Sequence, residues 1–126
     1  MLSWFALPLE AAARRLGPPE PRPPHAPGPF GFSDVAYVEE ILTAAGFADL
    51  AIERVETVLP GAATAAEEAR FACDRGPAAR LIATREPDAA TLDAIIAEIA
   101  EGFRPYETEA GVRMPAMVFH VTARRP

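Results

Sequence analysis

Two stretches of this 126-residue chain have strand periodicity, and each carries apolar residues on both of its sides. In ADLAIERVETVLPG, residues 48–61, Leu50 and Ile52 share one side, whereas Val55, Thr57 and Leu59 share the other. The change of phase near Arg54 implies either a bulge or burial on both faces. In the closing stretch VRMPAMVFHVTARR, Met117, Phe119 and Val121 alternate with Val118, His120 and Thr122. Side chains alternate across a strand, so both patterns suit strands covered on two faces. A sheet of two strands is marginal by itself. The chain therefore reads as α/β and helix-rich, its two strands forming an incomplete sheet or one completed by self-association.

The helices are marked by their caps. Ser33 or Asp34 can accept from first-turn N–H groups, and Val38, Ile41, Leu42 and Ala45 form an apolar stripe, which predicts a helix over 34–45. Gly46 supplies a left-handed ending, with Phe47 folding back on Leu42. Thr64 and Glu67 have capping-box spacing and open a helix to about Arg75. Gly76 and Pro77 break it, and AARLIAT continues as a short helical piece. Asp88 caps a helix whose stripe is Leu92, Ile95, Ile96, Ile99 and Phe103. At the start of the chain, WFALPLEAAARRL reads as a short helix interrupted or started at Pro8, with Leu9, Ala12, Ala13 and Leu16 on one face. Seven prolines fall between residues 18 and 29, so that segment should be extended and polyproline-like, a spacer or a surface strap.

Composition narrows the function classes. Leu, Ile, Val and Phe number 29 of 126, about 23%, near the limit below which chains do not order, so the core is thin. The net charge of −6 argues against a nucleic-acid surface. No apolar run approaches the ~20 residues of a membrane span. MLSWFALPLEAAARRLG lacks a basic region before its apolar stretch and is not read as a signal peptide. The single cysteine, Cys73, excludes an internal disulfide framework and fits a reducing cytoplasm. No Cys/His cluster has metal-ligand spacing.

The order GPFGFSD loop, VAYVEEILTAAGF helix, ADLAIERVETVLPG strand, helical insert and AMVFHVTARRP strand resembles the C-terminal part of class I S-adenosylmethionine-dependent methyltransferases, in particular the small-molecule group. In that family a helix ending in AAGF runs into the sixth strand, and an antiparallel seventh strand is inserted beside the fifth. The resemblance implies a Rossmann-like α/β fold, S-adenosylmethionine as methyl donor and a small hydrophobic acceptor. It divides the chain, as a single or partial domain, into a lid-like helix over 1–17, a proline-rich strap over 18–33 and a helix–strand–helices–strand unit over 34–126. The family holds the donor on a Gly-rich turn after its first strand, with an acidic residue after its second. Glycines 17, 28, 31, 46, 61, 76, 102 and 111 give no G-x-G-x-G here. The chain is therefore expected to bind no donor alone, and to be a non-catalytic binding module or to need a homo-oligomer or complementing chain. No metal, membrane or nucleic acid is expected as a partner.

The candidate site residues follow from the loop and the lid. In the resembled family the loop before the helix borders the acceptor pocket, which implies acceptor-side roles for Phe30 and Phe32; the plainer reading of Phe32 is a hydrophobic staple on Tyr37 or Val38. Trp4 and Phe5 are acceptor-side candidates against simple core packing. His25 is a weak candidate for a base that deprotonates the acceptor, with no partner carboxylate at an identifiable spacing. His120 reads as structural, Cys73 as a buried small hydrophobe, and Glu67–Glu68 and Glu39–Glu40 as solvated faces.

Overall fold

A computed structural model describes residues 4–126 of the chain. Its elements in order are α1 (Ala6–Leu16), α2 (Val35–Ala44), β1 (Ala48–Pro60), α3 (Ala65–Asp74), α4 (Pro77–Arg85), α5 (Ala89–Phe103), a 3-10 turn (Arg104–Tyr106), β2 (Glu107–Thr108) and β3 (Gly111–Arg124). The strands form an α/β architecture's small open sheet in the order β1-β3-β2. The chain divides into two compact units, one running through Pro19 and over Thr57–Ala116, the other comprising Glu20–Glu56 and Met117–Pro126, so the division falls within β1 and β3.

The first unit carries the apolar core. Helix α5 packs on α3 and α1, and α4 packs on α1 and α3. Phe103, Ile95, Ile99, Val112 and Met114 are fully buried, among small contacts from Ala11, Ala12, Ala69, Ala72 and Ala78. Alanines allow close helix approach but bury little area each, so the few large side chains supply most of the hydrophobic stabilisation, about 1.5–3 kcal/mol apiece. Arg85 donates to the Leu16 and Pro18 carbonyls at 3.1 and 2.9 Å and ties α4 to the end of α1. Pro8 lies inside the first turn of α1, which starts at Ala6; a first-turn residue needs no N–H for the helix ladder.

The cap chemistry reads out locally. Asp34, not Ser33, is the cap of α2: its Oδ1 accepts from the Ala36 and Tyr37 N–H groups at 3.0 and 3.4 Å, while Ser33 Oγ donates to the Phe30 carbonyl. Gly46 adopts φ 96°, with Gly46 N–H on Thr43 O and Phe47 N–H on Leu42 O, both at 3.0 Å. That pair of bonds is a Schellman ending. Thr64 accepts from Glu67 N–H at 3.2 Å, and Asp88 from Thr91 N–H at 2.7 Å.

Two expectations are corrected. The proline segment is without regular structure to Pro23 but then folds into turns, with Ala26 N–H on Pro23 O, Gly31 N–H on Gly28 O and Ser33 N–H on Phe30 O. The glycines there allow the chain to double back where proline alone would keep it extended. Asp49 meets Arg124 at 2.6 Å, Glu53 meets His120 at 3.8 Å, Arg54 lies 5.9 Å from the Phe119 ring, and Gly61 N–H bonds Val112 O at 2.8 Å. Just after β1, Gly61 N–H and Ala62 O both bond Val112, which sets two residues opposite one, and Asp49 within β1 lies at φ 54°. Finally, the strands are not covered on both faces. Val55, Val58 and Leu59 of β1 and Val118 and Val121 of β3 are exposed. A third strand exists, but β2 pairs only with the first two residues of β3, Glu107 opposite Val112 and Thr108 opposite Gly111. Beyond that pairing, the far edge of β3 has no strand neighbour among the described residues.

Candidate functional site

The loop before α2 brings together residues that sequence spacing left apart. Turns at 23–26 and 28–33 fold His25 back onto the start of the helix. Its Nε2 lies 3.2 Å from Asp34 Oδ2, and its ring stacks on Tyr37 at 3.5 Å between centroids and 1° between planes. Phe32 contacts the same Tyr37, at 6.1 Å and 59°. With Asp34 rather than Ser33 as the cap, Phe32 lies one residue too early for a staple; it keeps only this ring contact and stays 60% exposed. Phe30 is also exposed. His25 sits at φ 61°, a left-handed conformation that costs a non-glycine residue about 1 kcal/mol or more. The bond to Asp34 and the stack offset that cost.

Asp34 therefore serves two partners, with Oδ1 on the helix N–H groups and Oδ2 on the imidazole. The bond from His25 holds its carboxyl below the usual carboxylate range, assisted by the Tyr37 N–H. If the imidazole donates from Nε2, its Nδ1 is left as an acceptor, the arrangement that orients a histidine for proton transfer. A group whose folded pKa is depressed adds stability above its unfolded pKa and loses it as pH falls through the folded value. Carboxyl NMR should thus place the Asp34 midpoint below the ordinary 3.8, and His25→Ala should raise it. A midpoint indifferent to that substitution would refute the pairing.

Trp4 and Phe5 belong to the other unit. Their rings meet edge to face at 5.0 Å, and Trp4 meets Phe71 of α3 at 6.0 Å. Arg75 covers the Phe71 ring at 5.0 Å. The Trp4 indole N–H donates to Glu68 Oε1 at 2.5 Å, and Glu68 Oε2 accepts from the Ala62 N–H. Glu68 is 4% exposed, against the reading of a solvated Glu67–Glu68 face. Its burial follows from those two donors, which replace water around the carboxylate. Neither Phe71 nor Glu68 was legible as a partner, because each is joined to Trp4 across most of the unit's sequence.

An open trough of about 280 Å³ lies between α1 and α5, floored by Leu7, Ala11 and Gly102 and closed at one end by Pro105 and Tyr106. Glu98 beside it is clamped by Arg14 at 2.6 Å and Arg15 at 3.1 Å. Cys73 is half-buried, and burial followed by the Asp74 charge pushes its thiol up to about 11, so it is a poor nucleophile at neutral pH. His120 pairs with Glu53 on an exposed part of the strand ribbon. Among the described residues, no group of three or more His, Cys, Asp or Glu side chains could hold a metal, and no helix is long and apolar enough to cross a membrane.

A nucleotide-type donor needs free N–H groups at a strand-to-helix turn. Residues 61–64 make the turn from β1 into α3, and several donors there are taken: Gly61 N–H by Val112 O, Ala62 N–H by Glu68, Ala65 N–H by Glu107 Oε1 at 2.5 Å, Glu67 N–H by Thr64. The Glu68 carboxylate lies against Gly61, where a Cβ would meet Oε2 at 2.5 Å. These bonds argue against a donor cradle at this turn. No protein-family model, curated protein or solved structure matches the chain.

Proposed function

We propose that this chain is the acceptor-side part of an S-adenosylmethionine-dependent small-molecule methyltransferase, inactive alone, with the donor held by residues outside it. The observation that supports this reading is the order of elements: a helix closing at Gly46 into β1, a helical insert, and a final strand β3 antiparallel to β1. In the resembled family the last strand lies between two long neighbours. Here β3 has one, and its other edge is open beyond β2. On this reading Phe30 and Phe32 border a hydrophobic acceptor, and His25, oriented by Asp34, is the group available to take a proton from it. No step of methyl transfer is assigned to this chain, because its sequence carries no G-x-G-x-G turn.

Titration calorimetry of the 126-residue chain with S-adenosylmethionine and its demethylated product should give no binding heat. A micromolar isotherm would overturn the missing-donor argument. The methyltransferase assignment itself is tested by the DNA that precedes the Met1 codon: an encoded strand–turn–helix with G-x-G-x-G supports it. A second reading, a non-catalytic module for a small hydrophobic molecule, is favoured by the α1–α5 trough. Saturable binding of an apolar fluorescent probe, lost on Leu7→Glu in the absence of any donor-binding coding sequence, would establish that reading instead.

A further inference from the structure

We infer that the trough between α1 and α5 is a site for a small amine, an apolar body bearing one ammonium group that pairs with Glu10. The inference rests on the reading of the trough as a small-molecule site and names the class of molecule it takes. Its walls all belong to the first unit: Leu7, Glu10 and Arg14 from α1, Glu98 and Gly102 from α5, and Tyr106 from the 3-10 turn. Its volume of about 280 Å³ lies just under the range of about 300–1,000 Å³ usual for drug-sized ligands, so the occupant is a single ring or a short chain.

The charges decide what that occupant carries. Glu10 precedes Arg14 by four residues on α1, the spacing and order that favour a Glu–Arg pair on a helix. Arg14 instead reaches across to α5 and donates to Glu98 Oε2 at 2.6 Å, and Arg15 donates to Glu98 Oε1 at 3.1 Å. One carboxylate thus holds two guanidinium groups. Glu10, among the described residues, has neither an ion-pair nor a hydrogen-bond partner, and being exposed it is solvated by water in the free protein. An apolar body seated on Leu7 and Ala11 displaces part of that water, because Glu10 lines the same trough. A carboxylate that loses water without gaining a donor is destabilised. A neutral occupant leaves that loss uncompensated, and an acid sets a second negative charge beside Glu10 while Arg14 is already engaged. An ammonium group supplies the missing donors.

The layout sets the shape of the molecule as well. Leu7 lies against Gly102, where a Cβ would meet Leu7 Cδ2 at 2.8 Å, so the absence of a side chain at Gly102 makes room for Leu7 against α5. Arg14 meets Glu98 one helical turn earlier in α5. The trough therefore runs from an apolar end to an ionic end, with Glu10 between them on α1. Glu10 follows Leu7 by about 4.5 Å along the helix axis, so a ring over Leu7 needs an arm of roughly two carbons to bring its ammonium to the carboxylate.

The test titrates the isotope-labelled 126-residue chain with three probes of one shape, phenethylamine, phenethyl alcohol and phenylacetate, and follows the Leu7, Ala11 and Gly102 amide signals by NMR. Phenethylamine should give saturable shifts with a Kd about fivefold below that of the alcohol, and phenylacetate should bind most weakly. Glu10→Gln keeps the shape and removes the charge. Because Glu10 is exposed, the variant should give a folded spectrum, and in it the amine and the alcohol should bind alike. An alcohol or an acid that binds the parent as tightly as the amine, or an amine preference that survives Glu10→Gln, overturns the amine assignment and leaves the trough a small-molecule site. Absence of saturable shifts with all three probes overturns the amine assignment and the small-molecule reading together.

Discussion

Phe103→Ala should cost this protein about 3–5 kcal/mol of stability, the largest loss expected from any single substitution in α5. Phe103 is wholly buried, at the end of a helix whose Ile95 and Ile99 are equally enclosed. The surrounding positions on α1, α3 and α4 are mostly alanines, which cannot reach into the space a removed ring leaves. A cavity that neighbours cannot fill retains its full cost beyond the lost transfer free energy. With total stabilities commonly about 5–15 kcal/mol, the variant should lose about a fifth or more of its folding free energy. Urea unfolding would show a lowered midpoint at unchanged slope. A loss under about 1 kcal/mol would mean that the alanine-lined core collapses far more readily than its backbone spacing allows.

Glu68→Ala should be the next most damaging change, at about 2–4 kcal/mol. The buried carboxylate accepts from the Trp4 indole and the Ala62 amide, and so joins the segment before α1 to the turn between β1 and α3. Alanine leaves both donors without a partner beneath the surface. Glu68→Gln separates charge from shape, because the amide keeps one acceptor oxygen but presents N–H₂ to the second donor. It should fall between the parent and alanine. Trp4 fluorescence offers a local readout: the indole should become more solvent-exposed in Glu68→Ala before global unfolding begins. If the two variants match the parent in denaturant midpoint, the carboxylate does not hold these segments.

The features legible in the sequence are those whose chemistry is completed within a few residues. Asp34, Thr64 and Asp88 each accept from an N–H two or three positions ahead, so the cap type alone located three helix starts. Gly46 ended α2 for the same reason, since a positive φ and two backbone bonds to Leu42 and Thr43 are a local arrangement. The stripe of α5 became the core because period 3.6 puts Ile95, Ile99 and Phe103 on one face. Within the candidate site, the contact of Phe32 with Tyr37 was legible, though the cap shift to Asp34 removes the staple geometry; the pairing of His25 with Asp34 was not, because it needs two intervening turns.

Other features depended on pairing at long range. Glu68 looks like any solvent-facing glutamate of an acidic first turn until Trp4, 64 residues earlier, delivers a donor to it. The apolar phase change in β1 was compatible with burial on both faces, and only the folded chain shows Val55, Val58 and Leu59 exposed. Alternation records which side chains share a face, and the tertiary structure decides whether anything lies against that face. The sequence by itself determined the helices, their ends and the two long strands, since backbone propensity and capping act over one or two turns. The tertiary structure decided that Glu68 is inside, that His25 has a carboxylate, and that Val55 and Val118 face water, because each depends on which distant segment supplies the missing contact.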